Sequence, residues 1–132
     1  MYYHHDWWFG TGLKEQVEQA RLRCLKRHFP EADPADLAKD PDAERFYKEL
    51  EHRVILYLRD GFTYELGEAI DGINKSYLLA QCIPGDEAWQ AGVFVVSVPF
   101  EEIARVEVFA VHPHDKPQET AKITGFHAKP ES

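Results

Sequence analysis

Apolar residues recur in two rhythms along this chain, a helical one up to about Leu50 and an alternating one from Val54 to Val111. Leu13, Val17, Ala20 and Cys24 fall at i, i+4, i+7 and i+11, one stripe of a 3.6-residue period, and Leu22, Leu25 and Phe29 form a second stripe. The pattern predicts a helix over 13–29, opened by Thr11 as N-cap after the Gly10-Thr11-Gly12 break and ended by Pro30, whose ring and missing N–H stop a continuing helix. Two Asp-Pro steps follow, Asp33-Pro34 and Asp40-Pro41, each reading as an N-cap plus first helical residue. The first opens a single turn over 34–39. The second opens a helix over 41–52 with Ala43, Tyr47, Leu50 and, if the helix runs on, Val54 on one face.

Five β-rich runs come next: Val54–Leu58, Phe62–Leu66, Ser76–Ile83, Gly92–Val98 and Arg105–Val111. Asp60-Gly61 between the first two predicts a hairpin, because both residues tolerate the positive φ of primed turns. Pro84-Gly85-Asp86-Glu87 predicts a turn, Pro99–Ile103 a short helical or 3-10 joint, and Lys122–Phe126 a possible edge strand. The expected fold is α+β: N-terminal helices packed on a five-stranded, strongly bent antiparallel sheet or small barrel. As one domain it divides into an aromatic arm and helical layer (1–52), a β-barrel (53–111) and a C-terminal loop and tail (112–132).

Arg53-Val-Ile-Leu-Tyr-Leu-Arg-Asp-Gly61 resembles the first strand and turn of the Sm-like small β-barrel family, and Tyr64-Glu-Leu-Gly67 is similar to its bent second strand. Asp71-Gly-Ile-Asn74 resembles the loop that contacts RNA bases in that family, while Pro99-Phe100 stands where the family carries Arg-Gly. The resemblance covers residues 42–111 and implies an Sm-like or SH3-like barrel; a PH-like roll fits the same string. It also implies an RNA-binding alternative with Asp71, Asn74 and Lys75 at the nucleotide and Arg21, Arg23, Lys26 and Arg27 supplying charge.

Charge works against that alternative. Of the net −8, residues 1–59 hold 10 Lys/Arg against 11 Asp/Glu, whereas residues 60–132 hold 5 against 12. Each phosphate contact needs a cation to release a counterion, so the acidic half disfavours nucleic acid and favours a basic partner. With 132 residues, 44% hydrophobic and 13% aromatic, the chain has the means for a folded core. It holds no long apolar run for a membrane and no secretory leader, and its two cysteines lack a CxxC spacing, so the expected setting is cytoplasmic.

The chemistry-bearing residues form no specific motif. His4, His5, His112 and His114 have the softness and spacing for Zn²⁺ or Ni²⁺ if the chain ends converge, which would make a small metal-dependent enzyme. Cys82 sits in an apolar strand, and Ser76 and Ser97 lack a nucleophile elbow. Tyr2, Tyr3, Trp7, Trp8 and Phe9 concentrate large aromatic surface at one end, costly to leave in water and suited to an interface. The reading is a non-catalytic, cofactor-free assembly module that binds a protein partner or forms a homo-oligomer.

Overall fold

In the computed structural model, which describes residues 2–72, 75–84 and 92–115, the aromatic N-terminal segment is itself a short helix, α1 (His5–Phe9). The His4 imidazole caps it by accepting from the Asp6 N–H at 3.2 Å. Then follow α2 (Gly12–His28), a kinked 3-10 stretch (Pro34–Lys39) and α3 (Pro41–Glu49). The strands are β1 (Glu51–Leu58), β2 (Thr63–Ile70), β3 (Tyr77–Ile83), β4 (Phe94–Pro99) and β5 (Ile103–Val111). The architecture is α+β, with one five-stranded sheet ordered β4-β3-β2-β1-β5. The expected turn at 85–87 and strand at 122–126 lie outside the described residues.

Both Asp-Pro steps act as read. Asp33 accepts from the Ala35 N–H at 3.0 Å and Asp40 from the Ala43 N–H at 3.2 Å, each satisfying a donor that a helix start leaves orphaned. The boundary after α3 differs from expectation: the helix ends at Glu49, three residues early, and β1 begins at Glu51. The hairpin differs too. Only Gly61 has positive φ, at +95°, and Leu58 bonds Phe62 across the loop Arg59-Asp60-Gly61. This is a three-residue connection with a left-handed glycine rather than a two-residue primed turn. Asp60 contributes through its side chain, accepting from the Phe62 N–H at 3.0 Å.

The chain gathers into two compact units. The first takes residues up to Leu13 and Val54–Glu107. Val54, Ile55 and Leu56 are buried in succession, so β1 is covered on both faces, whereas β3 alternates, burying Leu78, Ala80 and Cys82 and turning Tyr77, Gln81 and Ile83 outward. The β2–β3 register shifts between Leu66 and Glu68, a bulge at Gly67 where a β-carbon would press on the Gln81 carbonyl. A 3-10 turn, Phe100–Glu102, joins β4 to β5 as anticipated; Arg59 fastens it with its N–H on the Glu102 carbonyl (2.9 Å) and its Nε–H on the Glu101 carbonyl (2.7 Å).

The second unit takes Lys14–Arg53 and, among the described residues, 108–115. Its core is Leu25, Ala32 and Ala43, with Phe29, Leu37, Phe46 and Tyr47 packed around them. The stripe read on α2 is present: Val17, Ala20 and Cys24 are half-buried while Lys14, Glu18 and Arg27 are exposed.

Gly12 has a steric role in the first unit, because a β-carbon on it would collide with the Trp7 indole. Gly12→Ala should therefore displace Trp7 and destabilise by about 1–3 kcal/mol, the usual cost of overpacking. Gly72→Ala, where a β-carbon meets nothing within 4 Å, should change stability by less than about 0.5 kcal/mol. Urea unfolding followed by tryptophan fluorescence tests the pair, and equal midpoints would refute the Trp7 contact.

Candidate interaction surface

The aromatic residues at the N-terminus pack largely on one another. Tyr3 meets Trp7 edge-on at 4.8 Å between centroids, Trp7 meets Trp8 at 5.0 Å, and the Trp8 indole N–H donates to the Tyr3 carbonyl at 3.1 Å. Trp7 and Trp8 are buried; Tyr3 and Phe9 are half-buried, which leaves Tyr2, 69% exposed, as the aromatic of the five most open to a partner. His5 holds the helix to the loop after β2 through Nε2 and Asp71 Oδ1 at 2.9 Å, and its ring lies 4.9 Å from Phe9. Asp71 is thus bonded within its own chain. Lys75 is exposed, and Asn74 lies outside the described residues.

His112 and His114 sit in the other unit. His112 is buried, stacks on Phe46 at 4.8 Å and 7°, and stacks on His114 at 5.1 Å. The His114 backbone N–H donates to His112 Nδ1 at 3.2 Å, so Nδ1 carries no proton and Nε2–H donates to Glu49 at 2.8 Å. Both nitrogens are occupied, as a structural imidazole requires and a ligand or general base does not. Among the described residues no three His, Cys, Asp or Glu side chains gather as a metal would need.

The basic stretch on α2 divides. Arg21 donates to the Tyr47 carbonyl at 2.8 Å and to the Leu50 carbonyl at 3.0 Å, with its guanidinium 4.6 Å from the Tyr47 ring centroid. Lys26 donates to the Pro30 and Ala32 carbonyls at 3.1 and 2.9 Å. These two cations satisfy main-chain acceptors where helices end. Arg23 and Arg27 are exposed, so two of the four cations expected at RNA carry structural duties instead.

What residue chemistry did not single out is the outer part of the sheet. The β3–β4 register aligns Leu78 with Val98, Ala80 with Val96 and Cys82 with Phe94 on one face, and Tyr77 with Pro99, Leu79 with Ser97 and Gln81 with Val95 on the other. Large apolar side chains are exposed on both: Phe94 at 44%, Val95 at 50% and Ile83 at 46%, with Val93 at 74% just before the strand. Among the described residues β4 ends the strand order, and Phe94-Val-Val-Ser-Val98 holds no charge to guard that edge. The available signal was composition: a strand with apolar residues at both parities is meant for cover on both sides, or lacks it.

Cys24 and Cys82 are both free thiols. Burial raises Cys82 from its ordinary 9.0 to about 11; Cys24 is raised as well, by burial and then by the nearby Asp115 carboxylate. No protein-family model, curated protein or solved structure matches this chain.

A raised thiol pKa in the folded state means the unfolded chain ionises first as pH rises. The stability linked to Cys82 is therefore complete below its ordinary 9.0 and is lost as pH climbs towards about 11. Burial and hydrogen-bonding to carboxylates raise Tyr47 and Tyr57 too, adding in the same direction. Melting temperature should fall between pH 9 and 11, less steeply in Cys82→Ala; a fall of equal slope would refute the Cys82 part. Separately, Arg21→Met should cost about 1–3 kcal/mol by removing the donor to the Leu50 carbonyl and one of the two donors to the Tyr47 carbonyl, while Arg23→Met should be within about 0.5 kcal/mol of wild type, both read by chemical denaturation.

Proposed function

We propose that this chain is a non-catalytic, cytoplasmic interaction module that assembles with other proteins by pairing a strand to the open edge of β4. The observation that carries the reading is that edge: the outermost strand among the described residues, uncharged from Phe94 to Val98, flanked by exposed Val93 and Ile83. A row of unpaired main-chain donors and acceptors with apolar side chains beside it is a template for another strand, and proteins that do not use such an edge blunt it with Lys, Pro or a bulge. β4 has only Pro99, at its far end.

The strand order, the bulge at Gly67 and the 3-10 turn before the last strand support reading the sheet as a strongly bent Sm-like or SH3-like barrel sheet. Two free thiols suit a reducing compartment. No helix among the described residues is long and apolar enough to cross a membrane. The RNA-binding alternative loses support where Arg21 and Lys26 bind their own backbone and Asp71 binds His5.

Selection from a displayed library of random peptides checks the proposal. Extended, β-branched sequences should be enriched, and the bound peptide should slow amide exchange at residues 94–98. Binders that protect some other region, or none, would defeat it.

A further inference from the structure

The edge reading leaves open what occupies β4, and the charge around it narrows the choice. Three aligned rows cross the outward face of β2, β3 and β4: Ile70, Leu79 and Ser97; Glu68, Gln81 and Val95; and, on β2 and β3, Glu65 and Ile83. A strand added beside β4 would set alternate side chains next to Val95 and Ser97 on this face, and the intervening ones next to Phe94 and Val96 on the other. Apolar contact is therefore available at Phe94, Val95 and Val96, with the Ser97 hydroxyl at the fourth position.

The electrostatic setting is one-sided. From Arg59 to Asp115 the chain has three basic residues, Arg59, Lys75 and Arg105, against ten Asp and Glu, and Arg59 is engaged with the Glu101 and Glu102 carbonyls. Glu68 is exposed on the outward face and Glu101 is exposed two residues past the end of β4. A second copy would bring the same net −8 to this surface, and like charges across an interface are penalised while opposite charges are steered together. We propose that β4 takes an extended segment of a different protein, with β-branched apolar residues alternating with Lys or Arg. The inference rests on the edge-pairing reading and adds the partner's charge and identity to it.

The test uses the full chain and labelled nine-residue peptides with valine at alternate positions: one with lysine between, one with glutamate between, and one of the lysine charge but interrupted by prolines so that it cannot pair. The lysine peptide should bind about tenfold more tightly than the glutamate peptide at low salt, with the gap closing as salt screens it. The proline peptide should bind at least about tenfold more weakly than the uninterrupted one, since it lacks main-chain donors. Val95→Lys should weaken the lysine peptide, and Glu68→Lys with Glu101→Lys should erase its preference over glutamate. Amide exchange should slow at residues 94–98 on binding. Equal affinity for the lysine and glutamate peptides, equal affinity for the proline peptide, or a dimer of the chain itself that buries β4 would each overturn the inference; the dimer alone would leave edge pairing standing. No protection of residues 94–98 by any peptide or by self-association would overturn both.

Discussion

The helical unit depends on how α3 is made to stop, and Arg21 is the group that stops it. Its guanidinium donates to the Tyr47 and Leu50 carbonyls and lies over the Tyr47 ring, while the Tyr47 hydroxyl donates to Glu18 at 2.6 Å. A helix end leaves carbonyls without partners, and a cation there satisfies them and complements the helix dipole. With these acceptors occupied, Leu50 turns to extended backbone (φ −63°, ψ 140°) and β1 starts at the next residue. One side chain on α2 thus fixes the end of α3 and the start of the first strand.

That dependence explains why the junction was not legible in the sequence. Val54 to Leu58 is apolar throughout and could serve as buried helix end or buried strand, and its periodicity does not separate the two. The deciding contact comes from a residue 29 positions away. Signals contained within a few residues fared better: the two Asp-Pro caps, the Pro99–Ile103 joint and the alternation of β3 are all present. Asp60-Gly61 marked the turn correctly but not its type, since an aspartate can serve by its side chain as readily as by its φ. Helix α1 was invisible because five residues are too few for a period, and its cap is a histidine.

The candidate site was less legible than the fold, for a related reason. Residue type points first to the aromatic arm as an interface and, as alternatives, to histidines for a metal and arginines for RNA, yet what a side chain can do depends on the bonds it has left to make. Both His112 nitrogens are bonded within the chain, and Arg21 and Lys26 terminate loops and helices. The outer strand instead presents Val, Phe and Ile, residues that strand periodicity assigns to a core by default. Alternation tells which residues of a strand share a face; it cannot tell that β4 would stand last in the strand order of the described residues.

An exposed, uncharged strand edge is a hazard in proportion to how readily a copy of the same chain can reach it. The usual remedy places a charge on the edge strand itself. Here β4 carries none, and the charge lies around it: Glu68 in the row shared with Val95, Glu101 just beyond Pro99, and three basic residues against ten acidic ones from Arg59 to Asp115. Acidic surroundings repel another acidic chain without occupying any main-chain group of the edge, so the edge stays chemically intact. The same field that holds copies apart draws in a strand of opposite sign, and its reach is set by ionic strength, about 8 Å at physiological salt. Solubility and partner choice then follow from one distribution of carboxylates, whereas a lysine within β4 would secure the first and forfeit the second.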